Sequence, residues 1–177
     1  MPTRDRGCVA VTKRLTKDAL LLAVALILYA VEAQIPPLVP VPGVKLGLAN
    51  IVTVWAMFRV GAKDTLAILA LRVILGSIWA GQIISFTLSL AGALVCYLVM
   101  LLLKRILTMK QIWICSAVAA VAHNIGQTAA AIPLFRTASV AVYLPFLVLS
   151  GLLTGLFTGL CAQLLIRYLP QGKTERE

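Results

Sequence analysis

Apolar residues run along this chain in six blocks, separated by polar or proline-rich breaks. A helix needs roughly 20 apolar residues to cross a hydrocarbon core of about 30 Å, and the blocks are close to that length. They fall at about 18–35, 44–60, 65–80, 82–103, 112–134 and 141–168. Positions 36–43 hold four prolines and cannot continue a helix, because proline lacks the amide hydrogen the ladder needs. Gly61-Ala62-Lys63-Asp64 and Gly81 mark two further breaks, and 104–111 a polar third. The pattern predicts an all-α integral membrane protein of six transmembrane helices. Its parts are a basic segment 1–17, a membrane domain 18–168 and a tail 169–177. No small-residue cleavage site follows the first block, so it reads as a retained span rather than a cleaved signal.

Composition narrows the class. Apolar residues make up 61% of the 177 and charged residues 12%, with a mean hydropathy of +1.00. Soluble domains average about 45–50% and 25%. A soluble domain, a disulfide scaffold and a disordered tail are all excluded. The net charge of +10 would point to nucleic acid in a soluble chain, but here the positive residues sit at the ends of apolar blocks. Nucleic acid is therefore not an expected partner; the lipid bilayer is. Cys8, Cys96, Cys115 and Cys161 lie in different segments without metal or disulfide spacing.

Charge asymmetry sets the orientation. Six spans put both termini on one side, and the lysines and arginines of short loops mark the cytoplasmic one. With the termini inside, thirteen of the sixteen basic residues are cytoplasmic. Lys45 and Arg136 are in outer loops, and Arg72 is within the third span. The expected location is a bacterial cytoplasmic membrane, crossed several times.

Polar groups inside lipid are costly, and so are candidates for function. Glu32 lies near the outer end of the first span, Lys45 and Asn50 in the outer part of the second, and Arg72 near the middle of the third. Gln82 and Ser85 open the fourth. His123 and Gln127, four apart, share a face of the fifth, which Asn124 widens. A polar cavity open to the outside would satisfy them all, and its excess of cationic groups predicts a small anionic or zwitterionic ligand. The plainer readings are an Arg72–Glu32 pair locking the bundle, His123, Asn124 and Gln127 as glue between helices, and Lys45 snorkelling to the interface. Small residues form stripes at Gly151, Gly155 and Gly159 and at Ser85, Ser89 and Ala93, most simply as close helix packing.

Missing motifs argue against catalysis. The aspartates are Asp5, Asp18 and Asp64, so no aspartate-rich motif is present to hold magnesium and a diphosphate. No Walker A, haem-attachment or HExxH pattern is present, and no cofactor can be named. The chain is not expected to be an enzyme.

Four stretches carry a resemblance: PGVKLGLANI at 42–51, LRVILG at 71–76, SFTLSLAG at 85–92 and AHNIGQ at 122–127. They resemble the bacterial Gx transporter family, also labelled heptaprenyl diphosphate synthase component I, over about 18–168. More distantly, the six-span plan and the PGVKLGLANI start are similar to substrate-binding S components of energy-coupling-factor transporters. That similarity implies capture of a small metabolite from outside, with 36–43 as part of a lid. It also implies a transmembrane coupling subunit with an ATPase pair, docked through an Ala-x-x-x-Ala face that Ala19 and Ala23 match. The alternative it carries is a non-catalytic membrane subunit of a flavin, quinone or isoprenoid assembly.

Overall fold

A computed structural model describes residues 3–35, 47–81 and 83–169. Among them the chain is helical, with no strand. Six α-helices follow in order: α1 Thr3–Gln34, α2 Leu48–Arg59, α3 Ala62–Ala80, α4 Ile83–Leu103, α5 Ile112–Phe135 and α6 Leu144–Tyr168. A 3-10 helix, Ala138–Tyr143, leads into α6.

Three stretches are long and apolar enough to cross a membrane: Ile83–Leu103, Ile112–Phe135 and Ala138–Tyr168, with mean hydropathies of 2.4, 1.2 and 2.1. The other three helices fall short for identifiable reasons. α2 has only 12 residues. α3 carries Lys63, Asp64 and Arg72 within its 19 residues, and the apolar half of α1 is bounded by Lys17, Asp18 and Glu32. Large apolar side chains stand exposed on α3, α4 and α6, as on Ile78, Ile83, Leu98 and Phe146, the surface a lipid solvent would cover.

α1 differs from expectation in its start. The basic stretch ahead of residue 18 is helical from Thr3, and the helix passes the expected boundary without a break. Lysine, arginine, leucine and alanine are all good helix formers, so basic composition removes this stretch from lipid without removing it from a helix. Contacts hold it in place. Arg14 forms an ion pair with Asp64 at the start of α3, its Nε at 3.0 Å from either carboxylate oxygen, and Lys17 stands 5.7 Å over the Trp55 ring. The Asp64 carboxylate raises the Arg14 pKa above its ordinary value.

One end of the bundle is basic. There Arg59 donates to the carbonyls of Ile166 and Leu169, Lys104 donates to that of Met57, and Tyr97 Oη donates to the Ala62 carbonyl at 3.1 Å. These cations sit at or near helix C-termini, where unpaired carbonyls and the helix dipole favour positive charge. Toward this end Met57, Met100, Ile112 and Cys115 form the driest part of the core, each at most 1% exposed.

α5 packs most extensively against α6 and α4. The glycine stripe explains the first contact. A Cβ added at Gly155 would stand 2.7 Å from the Ala117 Cα, and one at Gly159 2.7 Å from the Trp113 Cα. The stripe is internal packing, not a surface for another protein. The four cysteines are free.

Candidate functional site

The site begins where α1 ends and α2 starts. The first amide groups of a helix have no partner within it and attract negative charge. Glu32, in the last turn of α1, supplies that charge: its carboxylate accepts from the Gly47 amide at 2.6 Å and the Leu48 amide at 2.9 Å. Gly47 precedes α2 with φ of 72°, a left-handed backbone that favours glycine. In the first turn of α2, Asn50 Oδ1 accepts from Arg72 Nη1 of α3 at 3.0 Å. Glu32 and Arg72 therefore do not form an ion pair. The alternative of an Arg72–Glu32 pair locking the bundle is answered by geometry, since each is held by neutral groups at the start of α2.

α5 supplies the opposite wall. The His123 ring lies against Gly92 of α4, where a Cβ would come within 2.8 Å of Nε2. Asn124 Nδ2 donates to the Leu147 carbonyl of α6 and fills the space over Gly151. Asn124 is thus in part the interhelical glue that one reading of the sequence anticipated. Gln127, one turn further on, faces the same space.

Between these walls lies a cavity of about 110 Å³. It brings together Glu32, Asn50, Arg72, His123, Asn124 and Gln127 from four helices. The sequence did not single out Tyr29 or Thr154, which also line it, while Gly76 and Ser89 entered through the LRVILG and SFTLSLAG stretches and Ser89 also for its small size. Helical spacing held the signal. Tyr29 precedes Glu32 by three residues, Gly76 follows Arg72 by four, and Thr154 follows Gly151 by three. Lys45 and Gln82, and the proposed lid at 36–43, lie outside the described residues.

The chemistry of this lining is specific. Among the described residues one guanidinium stands with carboxamides, hydroxyls and an imidazole, while the one carboxylate is already accepting two amide hydrogens. Such a set can hold an anionic group on Arg72 and orient polar atoms around it. The cavity lies in the half of the bundle away from the basic end, between the end of α1, the starts of α2, α4 and α6, and the later turns of α3 and α5.

Ala19 and Ala23 stand elsewhere. Both are exposed on α1, whereas Ala25, two residues on, is fully buried against the bundle. The Ala-x-x-x-Ala face is one that no described residue covers.

The family model for heptaprenyl diphosphate synthase component I matches residues 21–165. The chain belongs to that family. Neither the curated proteins nor the solved structures include a match. The heptaprenyl diphosphate synthase component I match takes in every described cavity residue, from Tyr29 to Thr154. It begins beyond Ala19 and the basic half of α1.

Proposed function

We propose that this chain is a membrane binding and transport component that captures a small anionic or zwitterionic metabolite from the outer side. The observation that carries the reading is the cavity itself: a bundle with lipid-type surfaces keeps Arg72, Asn50, His123 and Gln127 around one space, and no carboxylate among the described residues forms an ion pair with the arginine. An arginine at mid-membrane costs about 2.5–3.5 kcal/mol on insertion scales, so its retention calls for a partner. In this reading all six helices form the membrane domain, and the basic end faces the cytoplasm of a bacterial cell. The exposed Ala19–Ala23 face meets a coupling subunit linked to an ATPase pair, since small side chains let helices approach closely. The chain itself performs no catalysis. Native mass spectrometry of the protein purified in mild detergent is expected to reveal a co-purified small molecule that is lost in Arg72→Gln. Finding no molecule, and no binding across a metabolite library, would overturn the reading.

The family description supports a second reading, a non-catalytic membrane subunit of an isoprenoid, quinone or flavin assembly. A pull-down from native membranes separates the two. Recovery of prenyl diphosphate or quinone enzymes without an ATPase pair would favour the second.

A further inference from the structure

Beyond the ligand cavity, towards the core, lies a much smaller void of about 10 Å³. Asn50, Thr53, Ser116 and Thr158 line it, and it shares Asn50 and Ala120 with the larger cavity. Thr53 is 2% exposed, and its hydroxyl has no hydrogen-bond partner among the described residues. An unpaired buried hydroxyl costs about 1–3 kcal/mol. Across the void, Ser116 Oγ and Thr158 Oγ1 are 3.1 Å apart, and Thr158 also donates to the Gly155 carbonyl at 3.3 Å. With its hydrogen given to that carbonyl, Thr158 accepts from Ser116. The Ser116 oxygen keeps lone pairs to offer.

We propose that this void is a single-water site that ties α2 to the α5–α6 pair. The volume is that of about one water-sized probe, the least that holds one water molecule. The polar complement fits: the water accepts from Thr53 and donates to Ser116, so the orphan hydroxyl and the unused lone pair are satisfied together. A small cation is the competing occupant, and charge argues against it. Among the described residues no carboxylate lines the void, and Asn50, which does, already binds the Arg72 guanidinium at 3.0 Å. The water thus stands directly behind the residue that holds Arg72, and the site does not depend on the transport reading.

Thermal melting of the full chain in detergent gives opposite signs for a wet and a dry void. If water is bound, Thr53→Val expels it and lowers the melting temperature by about 2–4 °C. Ser116→Ala then adds clearly less in the double variant than it costs alone, because the shared water is already gone. If the void is dry, Thr53→Val removes an unpaired hydroxyl at nearly constant shape and raises the melting temperature, which would overturn the proposal. Strictly additive shifts, or a sodium-specific stabilisation that Thr53→Val abolishes, would also overturn it. Should the variants not fold, high-resolution density of the wild type decides. A peak within hydrogen-bonding distance of Thr53 Oγ1 and Ser116 Oγ is expected, and its absence would end the proposal.

Discussion

A carboxylate and a guanidinium line one cavity without pairing, because each has a better-placed partner on α2. Glu32 neutralises the amide end of that helix and Arg72 binds the Asn50 carboxamide. Substitutions at the two sites should therefore have different consequences. Arg72→Gln is expected to leave expression and melting nearly unchanged while weakening ligand binding at least tenfold, about 1.4 kcal/mol, as read by calorimetry or ligand-exchange mass spectrometry. Glu32→Gln loses the charge that caps α2 and should cost about 1 kcal/mol of stability. Combining the two should give no rescue. If Glu32→Gln restored stability to Arg72→Gln, the carboxylate would be answering the arginine after all.

Among the elements, α6 buries its glycines while α1 exposes Ala19 and Ala23. Gly155 and Gly159 of α6 are pressed onto the α5 backbone, so even a methyl group has nowhere to go. Gly155→Ala should lose roughly 1–3 kcal/mol through overpacking. Gly76→Ala is the contrast, since its nearest neighbour is the Tyr29 side chain at 3.3 Å, which can turn aside. Melting both variants in one detergent checks the order. On α1, Ala19→Leu with Ala23→Leu should leave folding and ligand binding intact but abolish uptake and co-purification of a coupling subunit. Ala25→Leu, aimed at a fully buried position, should destabilise the protein instead. The helices were legible from periodic apolar blocks and their breaks to within a few residues, except where polarity misleads. The first half of α1 fell outside the first apolar block because it is basic, and the 3-10 turn before α6 has no signature that separates it from the block that follows. Likewise, the polar residues of the cavity were visible as costly positions. Which of them hold one another was not, because Asn124 to Leu147 and Glu32 to Gly47 are bonds to backbone, and backbone leaves no mark in a sequence.

For the whole molecule, the separation of a basic end from a polar cavity is the property that function would exploit. The native cysteines offer a direct check of orientation. Cys8 is exposed on the basic half of α1, while Cys96 and Cys115 are buried. A membrane-impermeant maleimide should leave Cys8 unlabelled in intact cells and label it in inverted vesicles. Ser139→Cys, on the exposed turn at the other end, should show the reverse in a Cys8→Ser background. The shortness of α2 carries a further consequence. Its 12 residues rise only about 18 Å from Arg59 to the Glu32 carboxylate. In the proposed reading Arg59 stands at one face of a hydrocarbon core about 30 Å thick, which would put the cavity some 12 Å below the other face. An anion reaching it from outside would then cross about two-fifths of the electric field, at about 0.9 kcal/mol for every 100 mV of inside-negative potential. Binding of a monoanion in energised vesicles should therefore tighten about fivefold when that potential is collapsed, making the voltage across the membrane a regulator of loading.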